Sequence, residues 1–176
     1  MKKIRFGVIG CGSIANEYHL PALRRVEGAQ LVWACDLIEE RAQKAKDDFG
    51  FEKYTLDYHD ILNDSSIDAV CIFTKIEMHA TLCIEAAAAG KHIFSQKPFA
   101  YNIEEGRKII RAVDEAGVKL TPSFMHSYMD GSIAARRIVE EGKIGEIRHI
   151  RMRNATKNPF DSAPGYGGCM MDIGCH

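Results

Sequence analysis

The chain has no CxxC pair, no apolar run approaching membrane-spanning length, no block of like charge, no internal repeat and no low-complexity tract. Each absence excludes something. The six cysteines, Cys11, Cys35, Cys71, Cys83, Cys169 and Cys175, sit mostly within apolar strand or helix sequence. They read as small buried hydrophobes with free thiols, not as a disulfide framework. Cys169, Cys175 and His176 fit no usual zinc spacing, so no metal is expected. Lys and Arg total 23 against 24 Asp and Glu, a net charge of −1, which leaves no field to hold nucleic acid or an anionic membrane. Met1-Lys2-Lys3 ahead of the Phe6 to Cys11 run imitates a leader with a lipidation cysteine, but Arg5 interrupts it and the run is too short for an h-region. With no longer apolar run elsewhere, the expectation is a cytoplasmic protein whose partners are small molecules or protein. Its 176 residues suffice for one good core and part of a further layer.

What is present is organised around Ile4-Arg5-Phe6-Gly7-Val8-Ile9-Gly10-Cys11-Gly12-Ser13-Ile14-Ala15. An apolar run breaks into two glycines one residue apart and passes directly into helix-forming sequence, which spells strand, tight turn and helix. The pattern suits a pyrophosphate. Gly10 makes the turn, Gly12 lets the backbone approach the phosphates, and Ala15 stands where the third, helix-packing glycine can be alanine. The first helical amides, at Gly12, Ser13 and Ile14, would point N–H groups at the anion, aided by the helix dipole. A second strand, Leu31 to Cys35, ends in Asp36, where a carboxylate would accept a hydrogen bond from an adenosine ribose. Asp36 would also repel a 2′-phosphate, and Leu37, not Arg, follows it, so NAD is expected over NADP.

Further along, helical sequence runs from Ser13 to about Val26 with Pro21 inside it, predicting a kink or restart near Leu20. Glu39 to Phe49 is an amphipathic helix closed by Gly50. Tyr54 to Leu56 is a short strand and Tyr58 to Leu62 a helical turn or two. Ala69 to Phe73 is an unbroken apolar run, as expected of a parallel strand covered on both faces. A helix from about Glu77 to Ala89, a strand at His92 to Ser95, a helix from Ile103 to Ala116 and a strand at Val118 to Thr121 complete an alternating series. Such a series implies right-handed crossovers and a doubly wound α/β Rossmann sheet. Ligands of these sheets bind beyond the carboxyl ends of the strands, where Gly10, Asp36, Thr74 and Lys97 all fall. Pro122 marks a boundary, giving residues 1–121 as a dinucleotide-binding domain and 122–176 as the start of a second α/β domain. In the latter a helix is expected from about Gly131 to Glu141 and a strand from Ile147 to Arg153.

Two stretches are specific. Ala89-Gly90-Lys91-His92-Ile93-Phe94-Ser95-Gln96-Lys97-Pro98 resembles the AGKHVxxEKP stretch of the glucose-fructose oxidoreductase / inositol dehydrogenase / rhizopine-catabolism (Gfo/Idh/MocA) family. Gly167-Gly168-Cys169-Met170-Met171-Asp172-Ile173-Gly174-Cys175-His176 resembles its GGGxxxDxGxH stretch, and Thr74 with His79 is similar to its TPxxxH loop. The resemblance implies a nucleotide-binding domain followed by a domain whose open sheet walls a substrate pocket and mediates homo-oligomerisation. It also implies NAD- or NADP-dependent oxidation of a hydroxyl on a sugar, cyclitol or related polyol. By the same resemblance Thr74, His79, Gln96 and Lys97 join Gly10, Gly12, Ser13, Ile14 and Asp36 around the cofactor. Lys97 lies near the nicotinamide and the reacting hydroxyl, and Asp172 and His176 contact substrate and move its proton. Alcohol oxidation has a use for each of these residue types. An imidazole accepts a proton near neutrality, Asp172 would share a helix face with His176, and an ammonium stabilises a forming oxyanion.

The chain departs from the family pattern at three positions. Lys75 replaces the proline of TPxxxH, Gln96 replaces the Glu of EKP, and Ser127 stands where Arg is frequent. Losing a carboxylate beside Lys97 alters that lysine's surroundings. Family members also continue well past His176, so the chain is expected to be either a stretch of a longer protein or a shortened one, the latter leaving a sheet edge open to self-association. Two readings therefore stand: a dehydrogenase acting through Lys97, Asp172 and His176, and a non-catalytic dinucleotide-binding sensor or scaffold module.

Overall fold

A computed structural model describes residues 2–153. The chain divides into two compact units, Met1–Pro122 and Ser123–His176. In the first, β1 (Ile4–Ile9), β2 (Ala29–Cys35), β3 (Lys53–Thr55), β4 (Ala69–Ile72), β5 (His92–Ser95) and β6 (Leu120–Pro122) form one sheet in the order β3-β2-β1-β4-β5-β6. Every neighbouring pair is parallel. The order reverses at β1, whose neighbours β2 and β4 lead the chain outward in opposite directions. This is the doubly wound arrangement that the alternating strands and helices predict.

Burial follows from strand periodicity. In β4, Cys71 and then Phe73 join one cluster while Val70 and Ile72 join another; in β2, Leu31 and Ala34 join the first and Val32 and Cys35 the second, the alternation being offset by one residue at the irregularity opposite Phe6 and Gly7. Successive side chains point to opposite faces, so an apolar strand needs cover on both. One cover is α1 (Leu20–Leu23) with the turn before it and α2 (Glu39–Phe49), through Ala15, Leu20 and Ala45. The other is α3 (His59–Asn63), α4 (His79–Ala88) and α5 (Ile103–Ala116), through Ile61, Leu82, Ile109 and Val113. The four cysteines among the described residues, Cys11, Cys35, Cys71 and Cys83, are buried free thiols. Burial pushes the thiols of Cys11, Cys35 and Cys71 up to about 12, and for Cys11 and Cys35 the Asp36 carboxylate adds to the rise.

Several boundaries move for physical reasons. The irregularity expected near Leu20 is a π-helical turn, Ala15–His19, after which α-helix restarts at Leu20. Pro21 has no N–H to donate to the preceding turn, and the Leu20 N–H bonds Ala15 O, five residues back. The helix then stops at Leu23, short of Val26. The helix expected from Glu77 opens instead as a 3₁₀ turn, Ile76–Met78. Helix α5 keeps its predicted bounds because both ends are capped: Asn102 Oδ1 accepts the Glu105 N–H at 2.9 Å, and Gly117 closes it at φ 65°.

The second unit contributes a 3₁₀ turn, Met125–Tyr128, holding Ser127, and α6 (Asp130–Glu140). The strand expected at 147–153 is not formed; its Ile147, Ile150 and Met152 are 44%, 76% and 80% exposed. A strand exists only through its ladder, and no strand among the described residues pairs with this segment. No helix among the described residues is long and apolar enough to cross a membrane.

At the other end of the sheet from the strand tips, Asp64 gathers the β4 entry. Its carboxylate accepts the Trp33 Nε1–H at 2.8 Å and the Ser66 N–H at 2.9 Å and faces Lys53 Nζ at 3.7 Å. These hydrogen bonds hold its carboxyl well below the usual carboxylate range. A depressed acid stabilises the fold in full above about pH 4 and loses that contribution as the pH falls further. Acid melts should therefore show Asp64→Asn less sensitive to pH below about 4 than the parent chain. Packing offers a second test. A Cβ on Gly7 would collide with the side chain of Ile61, so Gly7→Ala should cost about 1–3 kcal/mol. Denaturant unfolding should show Gly7→Ala with Ile61→Ala costing less than the sum of the two single changes.

Candidate functional site

The strand register sets the site. Ile9 lies opposite Cys35 and Ile72, and Ile72 opposite Ser95, so the chain leaves β1, β2, β4 and β5 at one level. The ladder extends one step past each strand. The Gly10 N–H donates to Cys35 O, the Phe73 N–H to Ile9 O and the Gln96 N–H to Ile72 O, all at 2.8 Å. Gly10, Asp36, Thr74, Gln96 and Lys97 are thereby brought to one edge, at the switch point where open α/β sheets bind ligands.

The two glycines do different work. Gly10 has φ +97°, and a Cβ there would come within 2.7 Å of Phe73 O and 2.8 Å of Phe73 C. It permits the turn and the close approach of β1 to the β4 exit. A Cβ on Gly12 would meet nothing within 4 Å. The room over Gly12 is a cradle that a side chain would fill, and the N–H groups of a helix start, which have no intrahelical acceptor, belong to Gly12, Ser13 and Ile14. Asn16 ties the loop from below, its Nδ2 donating to Cys11 O at 2.6 Å and Gly12 O at 2.8 Å.

Asp36 is half-buried and joined to this loop. Its Oδ2 accepts the Cys11 N–H at 2.9 Å, and its Oδ1 accepts the Ile38 N–H at 2.9 Å. The first bond welds the β2 exit to the glycine loop, an association that sequence spacing does not reveal. Each carboxylate oxygen retains acceptor capacity. Leu37 beside it is 89% exposed.

On the β4 side, Lys75 stands at φ −68°, ψ 150°, a backbone that proline would also adopt, so replacing the motif's proline leaves the loop's course unchanged. His79 lies deeper than a ligand contact would. It is 1% exposed, with Nδ1 2.8 Å from Pro98 O and Nε2 3.1 Å from Thr74 O. Both partners are backbone carbonyl oxygens, which only accept. No polar atom of the ring is left for a dinucleotide, and it braces the β4 exit against the turn after β5. Gln96 and Lys97 are half-buried; Gln96 Oε1 accepts the Lys97 N–H at 2.8 Å. Lys91, in the same matching stretch, serves the opposite end of the sheet. It is 5% exposed, and its Nζ donates to Asp64 O at 2.8 Å and Ile67 O at 3.0 Å.

Sequence reasoning misses one residue at this edge. The ring of His19, on the π-turn, stacks on Phe73 with centroids 4.2 Å apart and planes at 9°. The available signal is a histidine at the point where Pro21 disturbs the helix. Asp172 and His176 lie outside the described residues, as do Cys169 and Cys175.

Comparisons with known proteins bear on the family and the fold. Residues 4–124 match the family described as "Oxidoreductase family, NAD-binding Rossmann fold", and residues 133–176 match its "GFO/IDH/MocA C-terminal domain". The chain is 31% identical over 165 residues to an inositol 2-dehydrogenase of Salmonella paratyphi B, covering 92% of this chain and 49% of that protein. It is 30% identical to the scyllo-inositol 2-dehydrogenase (NAD(+)) of Bacillus subtilis, covering 99% of this chain and 52% of that one. Among solved structures, scyllo-inositol dehydrogenase from Lactobacillus casei with bound NAD(H) and scyllo-inositol superposes with TM-score 0.76 at 28% identity, over 82% of this chain and 43% of that one. A 3-ketoreductase from Actinomadura kijaniata in complex with NADP does so with TM-score 0.75 at 29% identity, over 84% and 45%. The chain spans about half the length of the curated relatives it matches.

The unequal glycines give a direct test. Gly10→Ala should destabilise the chain by about 2–4 kcal/mol, through left-handed strain and collision with the Phe73 backbone. Gly12→Ala should melt within a few degrees of the parent and weaken dinucleotide binding about tenfold or more, since each tenfold is only about 1.4 kcal/mol. Thermal melts and cofactor titration of both variants check this.

Proposed function

The chain belongs to the Gfo/Idh/MocA oxidoreductase family, and on that premise we propose that it binds NAD along the exits of β1, β2, β4 and β5 and takes part in oxidising a hydroxyl of a sugar, cyclitol or related polyol. The observation that carries this reading is the edge made by Gly10, Gly12 and Asp36: a turn pressed against β4, open room over a helix start, and a carboxylate bonded to the same loop. The relatives named as inositol dehydrogenases support the polyol class.

Bound NAD supplies the hydride acceptor; the chain's own residues do the rest. The amides of Gly12, Ser13 and Ile14 hold the pyrophosphate, and Asp36 accepts from the adenosine ribose with its remaining lone pairs. Its charge repels a 2′-phosphate, and exposed Leu37 offers none of the cation that NADP needs, so NAD is preferred. Thr74 and Gln96 border the nicotinamide end. The Lys97 ammonium stabilises negative charge on the substrate oxygen as its proton leaves. Asp172 and His176, four positions apart, take the proton: the imidazole accepts it and the carboxylate orients the ring or the substrate. To residues 133–176, which match the family's C-terminal domain, falls a part in the substrate pocket and in self-association.

Titrating the intact chain with NADH and NADPH by cofactor fluorescence should give at least about tenfold tighter binding of NADH; tighter NADPH binding overturns the cofactor preference. With NAD and a panel of polyols, absorbance of the reduced cofactor should report turnover. Lys97→Ala should lower kcat about 100-fold or more. NADH binding with no turnover on any polyol instead favours the non-catalytic dinucleotide-binding module.

A further inference from the structure

A single buried ring bridges the β4 and β5 exits. His79 opens α4 and is 1% exposed, with Nδ1 2.8 Å from Pro98 O and Nε2 3.1 Å from Thr74 O. Thr74 lies just past β4, and Pro98, itself buried, follows Lys97 beyond β5. The Pro98 contact bears directly on Lys97. Between Lys97 Cα and the Pro98 carbonyl the peptide is planar and the pyrrolidine ring fixes φ, so only the ψ angles remain soft. A hydrogen bond that holds the carbonyl in place takes up most of that remaining play. On the preceding side, Gln96 Oε1 accepts the Lys97 N–H at 2.8 Å, and the Gln96 N–H donates to Ile72 O at 2.8 Å. Lys97 thus stands between two anchors, β4 itself before it and His79 after it. The glycine loop is tied separately, through Asp36 to the Cys11 N–H and through Asn16 to the Cys11 and Gly12 carbonyls.

We propose that His79 is a positioning residue for Lys97: by holding the Pro98 carbonyl from the start of α4 it fixes the backbone from which the lysine reaches, and through Thr74 it sets that backbone against the β4 exit. The proposal rests on the reading of Lys97 as the charged group beside the reacting hydroxyl. The two contacts of the ring divide the work. The one to Thr74 spans five residues, the one to Pro98 nineteen. Lys75 and the 3₁₀ turn Ile76–Met78 carry the chain from Thr74 to His79 in a loop closed by the Met78 N–H on Lys75 O at 3.0 Å. The ring therefore folds back on its own loop, which orients it, and spends its other nitrogen on the distant carbonyl. Charge stabilisation depends on such placement, since a group displaced by about 1 Å can cost about 100-fold in rate. A lysine on an unheld turn would spend part of its time away from the substrate oxygen.

The test uses the intact chain, isotopically labelled, with His79→Leu, which fills the buried space and offers no polar atom, and His79→Gln, whose amide can donate to one of the two carbonyls. Two-dimensional NMR should show the Lys97 amide and side-chain resonances displaced in His79→Leu and displaced less in His79→Gln, with the Gly12, Ser13 and Ile14 amides unmoved in both. Unmoved Lys97 resonances in folded His79→Leu overturn the proposal. So does displacement of the glycine-loop amides by as much as Lys97, the mark of a merely structural role. Should His79→Leu fail to fold, the same resonances in His79→Gln decide. With NAD and the polyol panel, kcat should fall about tenfold or more in His79→Leu and recover in part in His79→Gln. Parental kcat in a variant whose Lys97 resonances have moved overturns the proposal too. A parent chain without turnover removes the catalytic reading of Lys97, and the resonances then still report whether His79 holds it.

Discussion

Burial of both faces of a parallel sheet is the constraint from which the other features follow. Val8 and Ile9, Leu31 and Val32, and Cys71 and Ile72 each send adjacent side chains into opposite clusters, so helices must cover both sides and the chain must cross over between parallel strands. Once β2 lies on one side of β1 and β4 on the other, the exits of the two halves diverge. Topology leaves the gap at that divergence without a crossing connection, and it is there that the glycine loop and the Asp36 carboxylate come together.

Within that gap the glycine loop is a joint as much as a binding element. The Gly10 N–H bonds the β2 exit, the Cys11 N–H bonds Asp36, and the backbone at Gly10 presses on Phe73 at the β4 exit. His79 repeats the pattern one strand over, joining Thr74 to Pro98 with both ring nitrogens. Polar groups here largely hold strand exits to each other. A preorganised edge of this kind places charge and N–H groups before any ligand arrives, which is how a protein makes electrostatic groups effective. Some residues of the matching motifs thus act as braces. Lys91, buried beneath the sheet and capping the Asp64 and Ile67 carbonyls, is a brace in a stretch whose neighbour Lys97 stands at the site edge.

Elements with a local cause are legible from sequence. Helix α5 is readable because Asn102 and Gly117 cap it, β5 because four strand-forming residues lie between Lys91 and the Gln96-Lys97-Pro98 turn, and the disturbance near Leu20 because Pro21 lacks an N–H. The Gly10 and Gly12 spacing with Asp36 after the second strand marks the dinucleotide edge. The segment at 147–153 misleads because alternation of apolar residues describes a strand's faces and says nothing of a partner for its ladder. His79 falls among the cofactor contacts by its motif because a place in a motif carries no information on depth. His19 escapes notice because its direction depends on a π-turn, not on helical periodicity.

The amino-acid order by itself determined the run of strands and helices, the glycine turn and the acid after β2, because apolar period, caps and backbone permissiveness are properties of a few neighbouring residues. Tertiary structure alone decided which groups meet: that Asp36 closes on the Cys11 N–H, that His79 spans Thr74 and Pro98, and that His19 lies flat on Phe73. Those partners are distant in sequence and come together only after register and packing have set the strand exits at one level.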